Sequence, residues 1–180
     1  MMLYTVGHSN HPIDKFLDLL TGNGISAVAD VRSQPFSRRF PQFNKERLAA
    51  SLSERGIAYV FLGKELGARS DDESCYEDGR VQYPRLAATP LFKQGIARVL
   101  TGAEKFRVAL MCAEKEPLDC HRTLLVSRAL EQRGASIAHI LADGSVETQA
   151  QTMTRLTRIT KHADVGEACR LREQKIAYKR

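Results

Sequence analysis

The chain has 180 residues, 43% of them hydrophobic, and a net charge of +6. That length suits one compact domain whose core needs no disulfide staples, and no apolar run reaches the roughly 20 residues that cross a bilayer. A secretory signal is not expected at the N-terminus, so a cytoplasmic protein without membrane contact is the expectation, and the positive excess favours an anionic small molecule or nucleic acid as partner.

Strand and helix patterns alternate along the chain. Residues 3–6 read as a first strand closing at Gly7. Pro12 suits the first turn of a helix whose apolar face is Ile13, Phe16, Leu17 and Leu20. Residues 27–31 form a second strand, and residues 32–43 a basic loop with Pro35 and Pro41. Asn44 is placed to cap a helix that carries Leu48 and Leu52 and stops at Gly56. Residues 58–62 read as a third strand, apolar enough for a buried parallel position.

Residues 63–84 are long, irregular and charged, which points to function rather than simple connection. Thr89 and Pro90 open the next helix, with Phe92, Ile96, Val99 and Leu100 on one face. Residues 108–112 are a fourth strand, and a helix starting near Asp119 buries Leu125, Val126, Ala129 and Leu130. Residues 137–141 are a fifth strand, and a last helix covers residues 148–159. The expected fold is α/β, a single Rossmann-like three-layer domain with a mostly parallel sheet of about five strands. It occupies residues 1–160, and residues 161–180 form a polar basic tail, helical or disordered.

A parallel sheet gathers the ends of its strands on one edge, where ligands bind. The first strand delivers His8 and Ser9 there, and the second delivers Asp30, Arg32 and Ser33. The third delivers Lys64 and Glu65, and the fourth delivers Cys112, Glu114, Cys120, His121 and Arg122. A cysteine in a first helical turn ionises readily, and His121 and Arg122 strengthen that tendency. Cys112 and Cys120 can act as nucleophile and resolving partner. With His121 and His8 they can also bind a metal, although the spacing lacks a Cys-x-x-Cys pair, so no metal and no cofactor is expected. Cys75 and Cys169 fall outside the expected site.

Familiar signatures are missing. Position 118 is Leu, so the Cys-x5-Arg phosphate loop is not formed, and neither Walker A nor Gly-x-Gly-x-x-Gly occurs. Arg32, Arg38 and Arg39, interleaved with Phe36, Phe40 and Phe43, can grip phosphates and stack bases, or can be a solvated loop with aromatic anchors.

Residues 4–9 (Tyr-Thr-Val-Gly-His-Ser), residues 30–33 (Asp-Val-Arg-Ser), Leu66-Gly67, Cys112-Ala113-Glu114 and Cys120-His121-Arg122 together resemble the domain of unknown function family four-eight-eight, small bacterial and archaeal α/β proteins. The resemblance implies a leaning toward nucleotide or nucleic-acid metabolism, and its motif carries over onto His8, Asp30, Arg32, Cys112, Glu114, Cys120, His121 and Arg122. The expectation is an enzyme for a phosphate-bearing substrate. Cys112, Cys120, His8, Glu114 and His121 would carry the chemistry, and Arg32, Arg122, Ser9, Asp30 and Ser33 would hold substrate. The alternatives are a non-catalytic nucleotide or nucleic-acid binding module, and a thiol redox sensor built on Cys112 and Cys120.

Overall fold

A computed structural model describes residues 1–180. The chain runs β1 (Met2–Gly7), α1 (Ile13–Gly22), β2 (Ala27–Asp30), α2 (Lys45–Glu54), β3 (Ala58–Phe61) and a one-turn α3 (Gly63–Leu66). A two-stranded hairpin, β4 (Tyr76–Glu77) and β5 (Arg80–Val81), precedes α4 (Tyr83–Ala88) and α5 (Pro90–Ala103). Then come β6 (Val108–Cys112), a π-helical turn (Arg122–Ser127) that runs into α6 (Arg128–Glu131), β7 (Ser136–Ile140), β8 (Val146–Thr148), α7 (Gln149–Thr160) and α8 (Val165–Ile176). No helix is long and apolar enough to cross a membrane.

The main sheet has six strands in the order β3-β2-β6-β1-β7-β8, all parallel except β8. Strand alternation divides the core. Tyr4, Val6, Val28, Ala109 and Met111 face α1 and α2, through Phe16, Leu20, Leu48 and Leu52. Leu3, Ala29, Leu110 and Ile137 face the opposite layer of α5, the π-turn, α6, α7 and α8. The result is a three-layer α/β fold. Connections leave β1 toward β2 and leave β6 toward β7, so the strand order reverses around β6 and β1, and ligand crevices form at the carboxyl ends of such strands.

Several elements differ from expectation. β3 is an edge strand, with Ala58 and Val60 exposed, because nothing pairs beyond it; its apolar run was a guide to composition, not to position. A sixth strand, β8, folds back antiparallel on β7 after the turn at Gly144, and Thr148 then caps α7 in a reciprocal box with Gln151. The helix after β6 does not begin at Asp119. Pro117–Asp119 form a 3-10 turn capped by Glu116, Asp119 turns its carboxylate to Arg172, and Cys120 is extended with its carbonyl accepting from Thr123 N–H. Cys120 therefore occupies the capping position. Asn44 precedes α2 as expected, but its side-chain oxygen accepts from Ser37 N–H and holds the basic loop instead.

Residues 161–180 pack into the fold. Ala168 and Cys169 of α8 are buried, the Tyr178 carbonyl accepts from Val81 N–H, and Lys179 bridges to Arg80 of the hairpin.

Candidate functional site

Three side chains converge where β6 ends. Cys112 is its last residue, and the loop from Ala113 through the 3-10 turn brings Cys120 back beside it. The two sulfurs and His121 Nδ1 all lie within 4.8 Å of one another, with Nδ1 3.8 Å from Cys112 Sγ and 3.9 Å from Cys120 Sγ. His121 Nε2 lies 3.1 Å from the Val31 carbonyl, an acceptor only, so Nε2 carries the proton and Nδ1 presents its lone pair to the thiols. All three residues are buried, yet they line a cavity of about 330 Å³ together with Tyr83, Glu114 and Tyr178.

Arg122 lies fully buried beneath this cluster and has no carboxylate within salt-bridge range. It donates to the Glu114 carbonyl at 2.6 Å, the Lys115 carbonyl at 3.4 Å and Thr5 Oγ1 at 3.3 Å. A buried cation without a counter-charge favours an anion nearby. Burial opposes ionisation of Cys120, but the Cys112 hydrogen bond, Arg122 and His121 outweigh it and hold the Cys120 thiol well below the ordinary range. Cys112, which shares that hydrogen bond and is equally desolvated, is pushed up. Burial and the charge of Cys120 raise the Glu114 carboxyl as well. The wide π-turn contributes at the far side, where Ser127 Oγ donates at 2.7 Å to the Arg122 carbonyl.

A second group occupies the other face of the same edge. Arg32 is bidentate to Asp30, with Nε to Oδ1 at 2.9 Å and Nη2 to Oδ2 at 2.6 Å, and also donates to the Phe43 carbonyl and to His8 Nε2. Tyr59 donates to Asp30 at 2.8 Å. His8 stacks on Phe43 with centroids 4.2 Å apart, and burial together with Arg32 lowers its pKa from 6.5 to about 4. Its Nδ1 donates to the Ser9 carbonyl at 2.9 Å. Both ring nitrogens are thus committed, and four of the five guanidinium N–H groups of Arg32 are spent inside the protein.

The expected residues therefore fall into two sets. Cys112, Cys120 and His121 meet, with Glu114 at the rim. His8, Asp30 and Arg32 meet separately, and His8 does not reach the thiols as a ligand or proton carrier. Asp30 and Arg122 line neither cavity; the first holds Arg32, the second fixes the loop. Ser33 lines the thiol cavity and accepts from Arg69 N–H, whereas Ser9 lines a second cavity of about 520 Å³. Lys64 and Glu65 border a third cavity, which lacks the thiols but shares Ser33, Gln34 and Arg69 with the thiol cavity, and Glu65 pairs with Arg98. Cys75 and Cys169 are core residues.

The second cavity carries Arg39, Lys115, Asn10 and Phe36. It shares Arg32, Gln34, Phe36, Ala113 and Glu114 with the thiol cavity, so the two form one groove across the sheet edge. Phe36 is 66% exposed at their junction. Neither Arg39 nor Lys115 has a carboxylate partner. Glycine makes this edge possible, since a Cβ on Gly7 would lie 1.9 Å from the Glu114 carbonyl oxygen. Tyr83 and Tyr178 were missed in sequence because they sit outside the strand ends; the only pointer was the long irregular segment that ends at Tyr83.

A family described as Domain of unknown function DUF488 matches residues 12–129, a span that includes every residue of the thiol cluster and begins just after His8. No curated protein and no solved structure matches the chain.

Proposed function

The chain belongs to the DUF488 family, and from that premise we propose that it is a thiol enzyme acting on a phosphate-bearing substrate, a nucleotide or nucleic acid, held in the groove at the carboxyl edge of the sheet. One observation carries this reading: Cys112, Cys120 and His121 are gathered within 4.8 Å at the wall of a cavity that continues into a basic one. Cys120 is the nucleophile. Its proton passes to His121 Nδ1, and Arg122 supports the thiolate. Glu114, raised toward its protonated form at the shared rim, gives its proton to the leaving group. Arg39, Lys115 and the last free N–H of Arg32 receive the phosphate, and Phe36 offers a face for a base.

Alkylation with iodoacetamide, read by peptide mass spectrometry, tests this. Cys120 should react well ahead of Cys75 and Cys169, and a nucleoside monophosphate should protect it. Phe36→Ala and Arg39→Ala should weaken that protection without changing stability, since both side chains are exposed. Labelling of Cys120 no faster than that of the two core thiols would remove the nucleophile role. A second reading is supported by the same sulfur pair, which can close a disulfide under peroxide and serve as a redox sensor; a reversible Cys112–Cys120 bond in nonreducing digests is its mark.

A further inference from the structure

We propose that Cys112, Cys120 and His121 form a three-ligand site for a soft divalent cation of the zinc class, with its fourth position open to the thiol cavity, and that occupancy of this site silences the thiol. The second half of the proposal rests on the thiol-enzyme reading above; the first half does not.

The donor set is the one such ions select, two sulfurs and an imidazole. Its dimensions fit. With metal–sulfur bonds of about 2.3 Å and metal–nitrogen bonds of about 2.0 Å, a tetrahedral ion spaces sulfur and nitrogen about 3.5 Å apart and two sulfurs about 3.8 Å apart. The separations here are 3.8 and 3.9 Å for sulfur to nitrogen, and all three atoms fall within 4.8 Å. The sulfur–nitrogen separations then need a few tenths of an ångström of closure, and the sulfur–sulfur separation at most about 1 Å.

A second observation is independent of the cluster. Metal-bound histidines nearly always donate their remaining N–H to a carbonyl or carboxylate, which fixes the ring and the tautomer. His121 Nε2 already does this to the Val31 carbonyl at 3.1 Å, and that leaves Nδ1 as the free donor pointed between the sulfurs. The fourth corner is not closed by protein. Asp119, at the cavity wall, is paired with Arg172, and Glu114 lines the rim. Three protein ligands and an open corner is the arrangement of sites that exchange water or substrate.

Binding balances simply. Two thiols release two protons to solvent, the neutral imidazole gives its lone pair, and the dication with two thiolates is neutral overall. That neutrality lowers the cost of burying the charges. Each thiolate then shares one electron pair with the ion, which lowers its nucleophilicity, so Cys120 attacks carbon or phosphorus far more slowly until the metal leaves. The site is thereby a metal-dependent gate on the groove.

The test uses the full chain, reduced and freed of metal. Co2+ alone should give thiolate-to-metal charge transfer and the intense visible bands of a tetrahedral ion, and Zn2+ should bleach them at one equivalent. Cys112→Ser, Cys120→Ser and His121→Gln should each weaken binding by at least about 10- to 100-fold, the loss that second-shell changes alone produce. Cys75→Ala and Cys169→Ala should bind as the parent does. A labelling measurement on the unmodified chain covers the case where a variant fails to fold: Zn2+ should protect Cys112 and Cys120, but not Cys75 or Cys169, from iodoacetamide. Absence of both the Co2+ bands and this protection overturns the site. Rapid labelling of Cys120 in the metal-free chain alongside that absence leaves the thiol reading standing. Tight metal binding with sluggish labelling of the metal-free chain sinks the thiol reading and the gate, and keeps the site.

Discussion

Acid should destabilise this protein through two buried histidines, and the size of the effect follows from their surroundings. His139, on β7, has no solvent exposure. Its Nδ1 accepts from Thr5 Oγ1 at 2.8 Å, and its Nε2 donates to Gln149 Oε1 at 2.6 Å. Burial, with Arg122 nearby, lowers its pKa from 6.5 to about 4, and burial with Arg32 does the same to His8. The unfolded chain takes up these protons near the ordinary value of 6.5, whereas the folded chain resists until about 4. The stability they contribute is complete above the unfolded value and drains away as pH falls between the two. Between about pH 7 and about pH 5.5 each histidine forfeits about 1.2 kcal/mol, or about 2.5 kcal/mol for the pair. Urea denaturation followed by far-UV circular dichroism at both pH values measures the total. His139→Gln keeps hydrogen-bonding groups at the position but cannot titrate, so its loss over the same interval should be only about 1.2 kcal/mol. The carboxylates are common to both proteins, so the difference isolates His139. An identical loss in parent and variant would refute the claim that the Thr5–His139–Gln149 chain holds a neutral imidazole.

Two further outcomes probe the loop that walls the groove. Gly7→Ala places a Cβ 1.9 Å from the Glu114 carbonyl oxygen; it should cost about 2–3 kcal/mol in thermal or urea unfolding and slow Cys120 alkylation by displacing residues 113–115. Gly22→Ala, at a helix position where nothing lies within 4 Å, should leave both unchanged or add a few tenths of a kcal/mol. Arg122→Met removes the donor to two loop carbonyls and to Thr5, which should cost about 3 kcal/mol. It should also slow Cys120 alkylation at neutral pH, because the thiol loses its buried counter-charge. An unchanged rate in a folded Arg122→Met chain would show that Arg122 serves the loop alone.

Five strands and their order along the chain were legible because each is a short apolar run that alternates with a helical period. Position within the sheet was not. Residues 58–62 are as apolar as a central strand, yet β3 lies at the edge, since strand order depends on which helices pack over which face. β8 was hidden because its three residues, Val-Glu-Thr, have one apolar side chain. The functional residues were named by charge and type, which sequence supplies, but their roles depend on where their N–H groups go. Arg32 and Arg122 read as anion grips; one spends four donors on Asp30, Phe43 and His8, and the other spends three on Thr5 and the 114–115 loop. Tyr178 was set aside with the tail, because nothing in residues 177–180 signals that they pair with a hairpin a hundred positions earlier.

The spacing of Cys112 and Cys120 lacks a Cys-x-x-Cys pair, yet the fold brings the two sulfurs together, for a physical reason. The short Cys-x-x-Cys rule describes two thiols on one tight turn. Here the first thiol ends a strand, and the second caps a helix after a 3-10 turn that returns the chain to that strand's end. The return is held by parts remote in sequence: Gly7 gives the Glu114 carbonyl room, Arg122 binds that carbonyl, and Arg172 draws Asp119 outward. The same loop carries Ala113 and Glu114, two of the five residues that the thiol cavity and the basic cavity share. On the proposed reading, a ligand drawn into the groove by Arg39 and Lys115 would press on the wall that sets the distance between the sulfurs. The expected outcome is that changes at Gly7 or Arg122, which line neither cavity, shift phosphate affinity and thiol reactivity together.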